Sequence, residues 1–226
     1  MSSFTQDLID KAEPYMQAQI KKPFLLGLVH GDLPLEAFQY WLKVDYPYLH
    51  NFVKVCALGV LKATDPRDIT IMMTHIDGIQ REMVDHEKHA ARTGVSREEL
   101  LAYPMGPLKY SYTRHQLASA YDGDIGDVQA AILACQWGYP EAVYRLLQTH
   151  TLAPDNPYLE WFDFHGDPAN REALAESIEL LDRQADQATP AQRERYARVF
   201  RLSVQHETML WDEYYNRVEW ENYPGL

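Results

Sequence analysis

Three reactive residues of this chain sit on helical stripes that are otherwise apolar. In Phe38, Trp41, Leu42, Asp45, Tyr48, Leu49 and Phe52, spacings of three and four build one face with a carboxylate at its centre. Tyr196, Val199, Phe200, Ser203, Glu207, Leu210, Trp211 and Tyr214 do the same around Glu207. Ile125, Val128, Ile132, Cys135, Tyr139, Ala142, Val143 and Leu146 set a thiol and a phenol one turn apart. A carboxylate removed from water costs several kcal/mol unless it is paired or hydrogen-bonded. The stripes of Asp45 and Glu207 offer no Arg or Lys, so together they point to a polar pocket inside an apolar bundle. A carboxyl in such a pocket holds its proton to higher pH and serves as an acid or base. Cysteine on a buried stripe packs by default as a small hydrophobe, and reacts only where its thiolate is favoured. Tyr48, Tyr110, Tyr112 and Tyr139 accompany the polar positions, either as pocket lining or as core phenols satisfied locally.

Helices must carry these stripes, and the punctuation is helical almost throughout. Asp65-Pro66, Asp167-Pro168 and Thr189-Pro190 each put a capping side chain before a proline, which tolerates the first helical position because its missing N–H has no partner there anyway. Ser96 and Glu99 form a capping-box pattern, and Gly94 marks the stop of the helix before it. Helices are predicted over 4–19, 35–62, 66–93, 97–102, 107–121, 125–151, 157–164, 168–187 and 190–217. Pro47 and Pro140 fall inside two of them and predict kinks or breaks. The stretch 151–158 is a loop, and no segment alternates long enough to make a sheet. No linker divides the chain, so residues 1–226 are expected to form one all-α domain.

Composition narrows the partners. The 226 residues carry 33 acidic and 21 basic side chains, a net charge of −12, which repels phosphate backbones and anionic lipid. Nucleic acid is therefore not expected, and no helix-turn-helix with a basic face is visible. Apolar runs such as Val55 to Leu61 fall far below the roughly 18 residues of a membrane helix. The start, MSSFTQDLIDKAEP, lacks a basic n-region and an apolar h-region, and the two cysteines fit a reducing compartment, so a cytoplasmic protein is expected.

Four strings carry a resemblance. They are KPFLLGLVHGDLPLEAFQYWLKVDYPYLHNFVKVCALGVLKA from Lys22 to Ala63, KYSYTRHQ from Lys109, ACQWGYPEA from Ala134 and QHETMLWDEYY from Gln205. The first contains Pro-Phe, Gly-x-Leu-Pro and Asp-Tyr-x-Tyr-Leu elements, and all four occur in the order found in TenA proteins (thiaminase II). The chain thus resembles that family over nearly its whole length. The resemblance implies a haem-oxygenase-like helical bundle, usually a homotetramer, that needs no cofactor. It implies hydrolysis of an aminomethyl pyrimidine from degraded thiamin to the hydroxymethyl pyrimidine used in thiamin salvage, with slower cleavage of thiamin. By the same resemblance Cys135 is the nucleophile, Glu207 the acid/base and partner of a pyrimidine nitrogen, and Asp45 the carboxylate for the aminopyrimidine edge, with Tyr48, Tyr112 and Tyr139 lining the site. On this basis Cys135 is expected to be an accessible, activated thiol on an internal cavity facing a buried Glu207 of raised pKa, and Cys56 to be inert packing.

Departures from the family pattern bear on substrate. His165 ends the Trp-x-x-x-Tyr element that begins at Trp161, Leu210 stands where phenylalanine is common, Ala134 replaces proline and Lys22 replaces histidine. His165, a group that titrates near neutral pH when unperturbed, and Leu210, which lacks a stacking face, are expected to reshape the pocket and shift the substrate. The competing reading is a di-iron oxygenase on the same bundle, because Glu82, His86 and His89 share one helical face. No second cluster with ligand spacing accompanies them, so no metal is expected, and His115, His206 and Asp85-His86-Glu87 read as solvated or capping residues.

Overall fold

A computed structural model describes residues 2–223, so residue 1 and residues 224–226 of the expected domain lie outside the described residues. Among the described residues ten α-helices follow one another: α1 (Phe4–Gln19), α2 (Pro23–His30), α3 (Leu35–Lys62), α4 (Pro66–Thr93), α5 (Arg97–Ala102), α6 (Pro107–Asp122), α7 (Ile125–Thr149), α8 (Leu159–His165), α9 (Pro168–Gln187) and α10 (Pro190–Asn216). No strand occurs among the described residues. The caps act as their sequences imply. Asp65, Asp167 and Thr189 accept hydrogen bonds from the first turns of α4, α9 and α10, Ser96 and Glu99 close a capping box on α5, and Gly94 takes a left-handed φ of 81° at the end of α4.

The helix that sequence patterning misses is α2, PFLLGLVH. It lacks a polar capping side chain and is apolar on nearly every face, so no stripe marks it. Its signals are Pro23 at the start and Gly31, with φ 79°, at the end. Of the kinks or breaks expected at Pro47 and Pro140, no break occurs, and α3 and α7 run through both. An internal proline costs about 3 kcal/mol. Here that is offset by burial on both sides, since α3 packs against α4 and α6, and α7 against α9 and α10. The four long helices α3, α4, α7 and α10 thus surround the stripes that carry Asp45, Cys135 and Glu207.

One junction sets α6 against this core. At Gly106 a Cβ would stand 2.4 Å from the Tyr40 hydroxyl and 2.8 Å from the Glu213 carboxyl, so only glycine fits where α6 begins. Glu213, fully buried on α10, accepts the otherwise unpaired amides of Leu108 and Lys109 at 2.6 and 3.1 Å. A carboxylate at a helix N-terminus is also favoured by the helix dipole. The result aims the first turn of α6, and Lys109 with it, into the bundle.

Candidate active site

A cavity of ≈ 210 Å³ opens between α3, α4, α7, α8 and the start of α9. Its wall includes Cys135 and Tyr139 from α7, Glu82 and His75 from α4, Phe52 from α3, and His165 from α8. Three sequence-derived candidates or neighbours, Cys135, Tyr139 and His165, therefore lie on the wall itself. Asp45, Tyr48, Tyr112 and Glu207 are buried and do not belong to that lining. Cys135 keeps partial exposure because one side of it borders the cavity, whereas Cys56 is fully buried and its thiol is pushed up by burial. The two cysteines thus divide as expected in accessibility.

Behind Cys135 stand a carboxyl and two phenols. Glu207 adjoins the Cys135 thiol and the Tyr112 hydroxyl, and burial pushes its carboxyl up to about 7. Its Oε1 has no partner in hydrogen-bonding alignment, nor does the Tyr112 hydroxyl, so both retain capacity for a ligand. The Tyr48 and Tyr112 rings stack at 5.7 Å, and Gln116 donates from Nε2 to the Tyr48 hydroxyl at 3.2 Å. Cys135 departs from the expectation of an activated thiol. Burial first and the Glu207 charge second push its pKa well above the ordinary value. The resting site therefore holds a protonated thiol beside a carboxyl that retains its proton to near neutrality.

Asp45 has partners after all, and they come from other helices. Lys109 Nζ on α6 lies 2.6 Å from Asp45 Oδ1, and His86 Nε2 on α4 lies 3.1 Å from Oδ2, all three side chains being almost fully buried. Burial alone would raise the Asp45 carboxyl, but Lys109 and His86 together bring it well below the usual carboxylate range. Lys109 Nζ also sits 3.6 Å from the centroid of the Tyr48 ring, joining Asp45 to the phenol pair. A stripe-by-stripe reading misses Lys109 because its charge is supplied across the bundle. The available signal is its place in Lys109, Tyr112, Thr113 and Gln116, a stripe at helical spacing.

His86 is accordingly buried rather than solvated. His115 and His206 are partly buried and stack on each other at 5.5 Å. The three metal-capable residues of α4 separate: His89 turns to Asp85 at 3.1 Å, while Glu82 and His86 join Asp45, with one ligand atom of each within 4.8 Å of the others. Among the described residues this is the one such group of three. Lys109 lies against its Asp45 and places a positive charge where a cation would be held.

His165 packs at 4.8 Å from Tyr139 and 4.6 Å from Trp161. The expectation that it titrates near neutral pH fails, because burial brings its imidazole down to about 3. It is a neutral donor and acceptor on the cavity wall. Leu210 is fully buried core and no part of the lining, so the residue expected to reshape the pocket with it does not reach the cavity. Tyr110 also stays away from the site, exposed on the surface and packed at 5.9 Å from Trp220.

The chain and its fold have clear counterparts. An aminopyrimidine aminohydrolase from Halalkalibacterium halodurans is 32% identical over 99% of this chain and 100% of its own length. A solved TenA family transcription regulator from Silicibacter sp. TM1040 superposes with a TM-score of 0.86 at 27% identity, covering 95% of this chain and 97% of the other. A domain of unknown function from Shewanella denitrificans OS217, described as having a heme oxygenase-like fold, gives a TM-score of 0.69 at 15% identity, with 94% and 90% covered, and shows the same fold. The model of the TENA/THI-4/PQQC family matches residues 9–217, and the chain belongs to that family.

Proposed function

We propose that this protein hydrolyses an aminomethyl pyrimidine derived from thiamin to the corresponding hydroxymethyl pyrimidine, without a cofactor. The observation that carries the reading is a single accessible thiol, Cys135, on the wall of an internal cavity with the uncommitted Glu207 carboxyl beside it. The likeness over the whole chain to the aminopyrimidine aminohydrolase of Halalkalibacterium halodurans supports it.

The chemistry follows from those two groups. The Cys135 sulfur adds to an electron-poor ring carbon while Glu207 relays the thiol proton to a ring nitrogen, so no charged thiolate has to persist in the apolar site. The ring electrons then expel the protonated amine from the methylene as ammonia, the C–N bonding pair leaving with nitrogen. Water adds to the exposed methylene carbon, and its proton leaves with the departed ammonia as ammonium. The C–S bond breaks last and returns the proton through Glu207 to sulfur. Asp45, an ionised carboxylate with lone pairs beyond those facing Lys109 and His86, takes the exocyclic amino group. Tyr48, Tyr112 and Tyr139 hold the ring, and His165 supplies a neutral polar contact on the wall.

The chain is proposed to act as one domain, in the cytoplasm, as a homotetramer. None of its helices among the described residues is long and apolar enough to cross a membrane. Light scattering should return a mass four times the chain's 26.2 kDa. Incubation with the aminomethyl pyrimidine, its formyl derivative and thiamin, followed by proton NMR, should show hydroxymethyl pyrimidine accumulating fastest from the first. Absence of turnover on all three removes the reading.

A further inference from the structure

Glu82 has no role in the scheme above, yet it lies on the same cavity wall as Cys135 and Tyr139. Its side chain makes no hydrogen bond or ion pair among the described residues, unlike the other wall carboxylate, Asp167, which accepts from Ala169 N at 2.8 Å and caps α9. The charges of His86 and Lys109 favour its ionised form and those of Asp45 and Asp85 oppose it, but His86 and Lys109 are paired with Asp45 and neither forms an ion pair with Glu82. The histidines on the wall do not supply a positive charge either. His75 is brought down to about 4 by burial and approaches Ser177 Oγ at 3.1 Å, and His165 is neutral as described. Arg81 shares that wall without pairing with Glu82, so the carboxyl lies on a small cavity with no ion pair of its own and fits a ligand that brings a cation into contact with it.

We propose that Glu82 receives the methylene substituent of the substrate as an ammonium group and keeps it protonated as the carbon–nitrogen bond breaks. This rests on the aminohydrolase reading and adds a leaving-group subsite to it. In water an aminomethyl group is an ammonium, but in an apolar cavity it tends to lose its proton and become a neutral amine, which would have to depart as amide ion and therefore leaves badly. Glu82 accepts N–H hydrogen bonds from the ammonium and compensates its charge. The C–N bonding pair then departs with nitrogen as NH3, the electrons of the sulfur adduct form the exocyclic methylene, and the carboxylate is left unchanged. Burial, which raises the Glu82 carboxyl to about 7 despite the charges of His86 and Lys109, makes the residue responsive to an arriving positive charge.

A comparison of leaving groups tests this directly. The aminomethyl pyrimidine offers N–H donors, whereas its trimethylammonium analogue and thiamin carry a fixed positive charge with none. Because kcat/KM reports steps up to the first irreversible one, it isolates binding and departure from the later addition of water. Glu82→Gln should lower kcat/KM for the aminomethyl substrate about 100-fold and for the other two no more than a few-fold, with Glu82→Asp recovering part of the loss. Equal losses on all substrates would make Glu82 a structural neighbour of Asp45 and His86, and overturn the inference. If Glu82→Gln does not fold by circular dichroism, wild type alone decides: it must favour the aminomethyl over the trimethylammonium substrate by at least about tenfold, and parity refutes the role. Failure of wild type on every substrate is the different result that removes the aminohydrolase reading itself.

Discussion

Replacing Glu207 by glutamine should stabilise the protein at alkaline pH and do little at acid pH. The folded chain holds this carboxyl at about 7, against an ordinary value of 4.5, because burial disfavours its charge. Between those values the folded state binds the extra proton, so stability declines as pH rises from about 4.5 to about 7 and stays reduced above. From pH 5 to pH 8 the penalty grows by about 2–3 kcal/mol at 1.36 kcal/mol per pKa unit. Glutamine has nearly the same shape and no proton to lose, so it removes that penalty. Any packing change it causes is the same at both pH values and cancels in the comparison. For a chain of this size the change corresponds to about 5–10 °C in melting temperature. Thermal melts of wild type and Glu207→Gln at pH 5 and pH 8 should therefore show the variant gaining about that much more at pH 8. A difference in melting temperature that does not change with pH would mean the carboxyl is already ionised at rest, and the proton relay assigned to it would lose its basis.

Two further substitutions probe the buried groups around the cavity. Lys109→Met leaves Asp45 short of one of its two cationic partners and should cost about 3–5 kcal/mol in urea denaturation, with Asp45→Asn added in the same chain recovering much of it; additive losses would show that the two do not interact. His165→Tyr should leave the shape of the kcat/KM profile unchanged between pH 6 and 8, because the imidazole is already neutral there, and an inflection near 6.5 present only in wild type would contradict its placement.

The stripes and caps made most of the scaffold legible. Asp65, Ser96, Asp167 and Thr189 each announce a helix start through local chemistry, and local chemistry survives folding. Segment α2 escaped because a helix buried on nearly all sides has no polar face to set its period. Pro47 and Pro140 leave their helices unbroken for the opposite reason, since the local cost of a proline is outweighed by burial across the bundle. Within the site, the inward placement of Asp45, Cys135 and Glu207 was readable from spacing, whereas the chemical roles proposed for them rest on family resemblance. Pairing was not readable: Lys109 reaches Asp45 from a helix more than sixty residues away, and Glu213 steadies Lys109 from the far end of the chain. The neutrality of His165 and the protonated state of Cys135 are likewise properties of enclosure, which no stripe reveals.

The central claim, that Cys135 adds covalently to the pyrimidine ring, is tested most directly by intact-protein mass spectrometry of wild type and Cys135→Ser quenched in acid during turnover of the aminomethyl pyrimidine. Wild type should carry a mass increment equal to the pyrimidine adduct, mapped to the peptide containing Cys135, while Cys135→Ser shows neither adduct nor hydroxymethyl product. Undiminished product formation by Cys135→Ser would contradict the account.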